Sequence, residues 1–160
     1  MTKSVMPGPA KYRLQNSIAY QLSLTARQQE RRLDEGLKTL GLTRISWCVL
    51  LAVGNEALCK PSEIADFVGI DRTATSRALR QMEAAGMIAR ASGTSGGVGD
   101  GRTKTVKLTG PGREMLERAT PFARDNAALV TGPLSRDEVN TLRNILAKIR
   151  RCDATPLNRL

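Results

Sequence analysis

Between Arg13 and Leu40 the apolar residues Leu14, Ile18, Leu22, Ala26, Leu33, Leu37 and Leu40 recur three, four or seven positions apart. That is the repeat of one face of an α-helix. A helix over the whole span would be about 42 Å long at 1.5 Å per residue. Gln29 interrupts its stripe. Apolar surface of that length needs a partner throughout. Either the chain folds back along the helix, or a second copy of the chain lies against it.

The composition narrows what such a chain can do. Its 160 residues correspond to about one ordinary domain. It holds 25 Lys and Arg against 15 Asp and Glu, a net charge of +10, and no histidine. Without histidine there is no Ser-His or Cys-His catalytic pair and no zinc site that needs imidazole. Three cysteines, Cys48, Cys59 and Cys152, form no Cys-x-x-Cys pair. An odd count in this spacing fits a reducing, cytoplasmic compartment better than a disulfide framework. The sequence implies neither metal nor cofactor, and no enzymatic chemistry. Five aromatic residues are too few for a surface that stacks single-stranded bases. Apolar runs such as Val49 to Val53 fall far short of the roughly 20 residues of a membrane span, and Met1 to Ala10 lacks the apolar core of a signal peptide. Excess positive charge without membrane features points first to nucleic acid. The charge is spread along the chain, with net +4 over residues 1–42, +3 over 43–110 and +3 over 111–160.

The remaining punctuation sets the expected elements. Residues 1–10, with Pro7, Gly8 and Pro9, read as a short leader. Gly41 ends the first helix. Thr43 is a good N-cap for a helix Arg44 to Val53, closed by Gly54-Asn55. Pro61 suits the first position of a short helix to Val68, although Lys60 before it is a poor cap. Asp71 after the Gly69-Ile70 turn caps a helix through Ala85, stopped by Gly86. Met87 to Arg90 reads as a strand, the glycine-rich stretch Ser92 to Gly101 as a tip, and Thr105 to Leu108 as the returning strand with Val106 and Leu108 inward. Thr109 caps a helix with Met115, Leu116, Ala119, Phe122 and Ala123 on its apolar side, which Pro121 is expected to kink or divide. Ser135 with Glu138 forms a capping box that opens a last helix with Val139, Leu142, Ile145, Leu146 and Ile149 on one face.

Three helices followed by a hairpin over residues 43–109 is the order of a winged helix-turn-helix. The fold expected is mainly α with a small β-wing. Residues 11–42 and 110–152 are the helical segments on either side of residues 43–109, and 153–160 form a tail. Along Thr73 to Ala85, the residues Thr75, Ala78, Leu79 and Met82 fall on one side. Arg72, Thr73, Ser76, Arg77 and Arg80 fall on the other, offering the hydroxyl and guanidinium donors that reach base edges and phosphates in a major groove. Any amphipathic helix has a solvated face, so this pattern alone does not decide. The hairpin adds Arg102, Lys104 and Lys107 on a projecting arm of the kind that enters a narrow minor groove, with Asp100 placed to hold the Arg102 guanidinium. A charged tip kept for solubility is the bland alternative.

The run Asp71 to Arg90 resembles the recognition helix and first wing strand of MarR-type transcriptional regulators. Asp100-Gly-Arg102 ahead of Val106-Lys-Leu108-Thr109 is similar to the wing signature of that family. Leu42-Thr43, Trp47 and Leu50-Leu51 resemble its second helix, and Ser62 to Ala65 its third. The likeness extends over about Arg13 to Arg151. It implies a homodimer whose first and last two helices interlock, with two winged domains on successive half-sites of a near-palindromic double-stranded DNA operator. It implies groove-reading roles for Thr73, Ser76, Arg77 and Arg80, a minor-groove role for Arg102 and a supporting one for Asp100. Thr75 departs from the aliphatic residue frequent there.

The resemblance further implies a repressor released by a small phenolic or carboxylate effector bound between the dimer helices and the winged domain. Arg13, Tyr20, Trp47 and Cys48 are the candidates to line that site. Trp47 is better suited to plain core, and Arg13 to a solvated or phosphate-contacting role. A cysteine-redox switch is an alternative, with Cys48 in an apolar helix and Cys59 beside Lys60. So is a basic protein that binds nucleic acid without sequence preference. A directed donor set is what that last reading does not need.

Overall fold

The computed structural model describes residues 11–93 and 103–152. Its elements run α1 (Ile18–Thr39), α2 (Arg44–Gly54), α3 (Pro61–Val68), α4 (Arg72–Ala84), β1 (Ile88–Gly93), β2 (Thr103–Leu108), α5 (Gly110–Thr131) and α6 (Arg136–Cys152). This is a mainly helical chain with one two-stranded antiparallel sheet, the winged helix-turn-helix order expected from the sequence.

Local side-chain chemistry accounts for most of the boundaries. The Thr43 hydroxyl accepts from the Ser46 amide at 3.1 Å while Ser46 Oγ accepts from the Thr43 amide at 2.9 Å, so two otherwise orphaned donors are satisfied reciprocally. At α3 the cap comes from inside the helix. Lys60 has no acceptor to offer, and the Glu63 carboxylate accepts from the Lys60 amide at 3.3 Å. The Lys60 ammonium and that bond hold the Glu63 carboxyl below its ordinary range. The Ser135–Glu138 box opens α6, with the Ser135 amide donating to Glu138 Oε2 at 2.8 Å.

Four expectations need correction. The first helix is not continuous from Arg13: residues Leu14–Asn16 form a 3-10 turn, Ser17 is extended, and α1 begins at Ile18. Both strands are longer than their apolar cores, pairing from Ile88↔Leu108 out to Gly93↔Thr103, because ladder bonds are made by the backbone and do not require alternation. Helix α4 ends at Ala84, with Ala85 as its cap. Pro121 does not divide α5, which runs unbroken from Gly110 to Thr131. Proline removes only the one amide that would bond Glu117 O, and the helix passes through that gap, with Thr120 Oγ1 donating beside it to Leu116 O at 2.7 Å.

The core lies within the winged domain and where α1 and α5 meet it. Leu37, Leu42, Trp47, Val49, Leu50, Ile64, Leu79, Met82, Ile88, Val106 and Ala119 belong to one buried cluster. Beyond it the helical region is bare. Ile18 and Leu24 on α1, Leu129 on α5, and Leu142, Ile145 and Ile149 on α6 are exposed, Ile18 to 67% and Leu129 to 60%. No residue of α6 is buried among those described. The apolar stripe read from the sequence thus exists: its C-terminal part, at Leu33, Leu37 and Leu40, joins the core, while Leu14, Ile18 and Ala26 are left exposed by its own chain. No single described helix is long and apolar enough to cross a membrane, and α1 meets α2 at a bend of 81°.

Candidate nucleic-acid interface

Helix α4 is set by its N-cap. Asp71 accepts from the Ala74 amide at 2.8 Å, which fixes where the first turn begins and hence which residues face out. Thr75, Leu79 and Met82 are buried. The departure at Thr75 is accommodated locally, because its hydroxyl donates to Asp71 O at 2.9 Å although the residue is 1% exposed. A buried hydroxyl bonded within its own turn carries little penalty. On the opposite side Arg72, Thr73, Ser76, Arg77 and Arg80 face outward, with all three arginines at the surface. Those arginines make no ion pair with any described residue. Five polar side chains, three of them cationic, therefore occupy one solvent face of one rigid helix.

The hairpin is anchored at its base. Val106 and Ile88 are buried. The Val106 amide donates to Cys59 O at 2.8 Å, and the Thr109 amide to Met87 O at 3.1 Å. Lys107 on the outer face is exposed. Lys104 pairs with Ser92 in the ladder. Asp100 and Arg102 lie outside the described residues.

The four candidate effector residues are not brought together. Trp47 is buried in the core at 3% exposure. Arg13 caps the 3-10 turn and is exposed, and Tyr20 is half-buried on α1. Only Cys48 lines a cavity of about 710 Å³ between α1, the start of α2 and the end of α3. Its walls are Leu42, Ile45, Val68 and Ile70, and its rim carries Glu30, Asp34, Lys38 and Arg44. Arg44 spans that rim. Its guanidinium pairs with Glu30, and its Nε donates to Asp34 Oδ1 at 3.1 Å, which raises the guanidinium pKa chiefly through the Glu30 bond. Burial pushes the Cys48 thiol up, opposed by the nearby Arg44 charge. No local pattern signals this rim, because its members are brought together only by the turn between α1 and α2. Among the described residues no cluster of His, Cys, Asp or Glu could hold a metal ion.

A capped reading helix braced on two shorter helices and followed by an anchored hairpin defines a winged helix-turn-helix protein. The MarR family model matches residues 40–97. Escherichia coli MarR, as a cysteine-to-serine mutant complexed with operator DNA, is 27% identical over 82% of this chain and 92% of its own, with a TM-score of 0.72. A probable transcriptional regulator from Pseudomonas aeruginosa is 26% identical over 86% of this chain and 99% of its own, at 0.74. Bordetella bronchiseptica BpsR, whose DNA binding is regulated by 6-hydroxynicotinic acid, shares the fold at 20% identity, 88% and 99% coverage, and 0.75. The winged part of the chain matches the MarR family over residues 40–97, and the chain as a whole is similar to MarR-type transcriptional regulators.

Proposed function

We propose that the chain acts in the cytoplasm as a homodimeric repressor that reads a pseudo-palindromic DNA operator and is released by a small apolar ligand carrying a phenol or carboxylate. The carrying observation is the single outer face of α4, with Arg72, Thr73, Ser76, Arg77 and Arg80 outward and Thr75, Leu79 and Met82 inward. Hydroxyl and guanidinium groups at fixed helical spacing supply both phosphate and base-edge donors. Arg102, Lys104 and Asp100 complete the interface from the wing in this reading. Dimerisation is supported by the exposed apolar faces of α1, α5 and α6. A second copy laid along them would bury surface that monomeric proteins rarely leave contiguous. The cavity at Arg44 and Cys48 has the size and apolar walls of a small-ligand site, and it lies between the helical region and the reading head.

Selection of bound fragments from genomic DNA tests this reading. The expected result is a recurrent duplex site with two-fold related halves, one helical turn apart. Recovery of unrelated fragments in proportion to their abundance would refute it in favour of charge-only binding.

A further inference from the structure

The described part of the wing is tied to α4 by more than its base. Arg90 lies on β1, opposite Val106 in the ladder and therefore on the sheet face that turns toward the core. Its Nε donates to Glu83 Oε2 at 2.7 Å, and its terminal nitrogen contacts the same oxygen. Glu83 stands in the last turn of α4, on the helix whose outer face carries Arg77 and Arg80. Arg90 is 25% and Glu83 37% exposed as side chains. Of the other described anchors of the hairpin, Ile88, Leu108 and the Thr109–Met87 bond lie at its root, and Val106, level with Arg90, is tied to Cys59 rather than to α4. The Arg90–Glu83 bridge is thus the outermost described tie between hairpin and reading helix, with only Ala91↔Thr105, Ser92↔Lys104 and Gly93↔Thr103 beyond it.

We infer that Arg90 is a positioning residue: its fork on Glu83 sets the angle of the wing to α4, so that both engage one duplex together. The inference rests on reading α4 and the hairpin as DNA-contacting elements. A partly exposed ion pair contributes little to overall stability. A planar guanidinium with two donors on one oxygen nevertheless fixes direction in a way a point charge does not. An antiparallel pair of strands alone is a weak lever, because two-stranded sheets twist readily. A brace partway along the hairpin would therefore act on where the strands point more than on whether the domain folds.

The test compares the full-length protein with Arg90→Gln, Arg90→Lys and Glu83→Gln on a selected duplex, using backbone footprinting, guanine-methylation interference and thermal melting. Arg90→Gln and Glu83→Gln are expected to bind about tenfold more weakly. They should lose protection at the flanks, where the wing reaches, and keep the central interference pattern of α4. Arg90→Lys should recover part of the affinity but not the flank protection, with melting unchanged within about 2 °C. Wild-type affinity and footprint in both charge-removed variants would overturn the brace. So would a uniform loss of protection with a large fall in melting temperature, which would assign Arg90 to folding. If the wild type protects no discrete site, the DNA reading itself fails, and the brace with it.

Discussion

Gly112 offers a clean contest between helix propensity and packing. It is the third residue of α5, and its amide donates to the capping hydroxyl of Thr109 at 3.1 Å. A Cβ added there would stand 1.9 Å from the backbone oxygen of Met87, about 1.5 Å short of ordinary contact. Because Met87 O also accepts from the Thr109 amide at 3.1 Å, it cannot retreat without loosening the joint between wing and α5. Propensity favours Gly112→Ala by at most about 1 kcal/mol. Overpacking costs about 1–3 kcal/mol, and disturbing the cap costs about 1 kcal/mol more. Packing wins, with a net loss of about 1–3 kcal/mol. For a chain of this length each kcal/mol moves the melting temperature by about 2–4 °C, so a fall of about 2–12 °C is expected at fixed protein concentration. Gly110→Ala is the control, since nothing lies within 4 Å of its Cβ, and it should melt at or slightly above the wild type. A Gly112→Ala protein as stable as Gly110→Ala would refute the close approach of α5 to the wing base.

Other perturbations have equally definite outcomes. Arg80→Ala should weaken binding to the selected duplex by about 1–3 kcal/mol while leaving the melting temperature within about 2 °C, because the side chain is exposed; a large stability loss would contradict its placement. A chain ending at Thr131 should sediment as a monomer, since α6 contributes apolar surface but no residue buried by its own chain; persistence of a dimer would show that α6 is not part of that interface. Cys48 has its thiol pKa raised by burial. Its stabilising contribution is therefore full below the unfolded thiol value, about 8.5, and is lost as pH rises through the higher folded value. Urea unfolding from about pH 7 to about pH 10 should show wild-type stability falling relative to Cys48→Val, and parallel curves would contradict the burial.

What the sequence disclosed, and what it withheld, follows from where each signal resides. The caps at Thr43, Asp71, Thr109 and Ser135 were legible because a side-chain acceptor and the amide it serves lie three residues apart. The inner and outer faces of α4 were legible because helical periodicity assigns side chains to faces without any tertiary information. Periodicity is blind to backbone breaks, however. Leu14 and Ile18 keep helical spacing across Ser17, whose backbone is extended with φ −76° and ψ 122°. The outer pairs of the hairpin, built on Ala91, Ser92 and Gly93, carry no alternation to read. The Arg44 bridge to Glu30 and Asp34 and the Arg90 bridge to Glu83 depend on how elements turn against one another. Trp47 and Cys48 are neighbours in sequence, yet one enters the core and the other lines a cavity. The wing residues Asp100 and Arg102 rest on sequence pattern alone.

The central claim is that donors on one helix face read bases rather than merely attract phosphate. It is tested most directly by titrating the protein onto a selected duplex and its scrambled counterpart across a range of salt concentrations. Affinity for both should fall steeply as salt rises, through counterion release, while the selected duplex stays at least about a thousandfold preferred throughout. Superimposable curves for the two duplexes at every ionic strength would contradict the account.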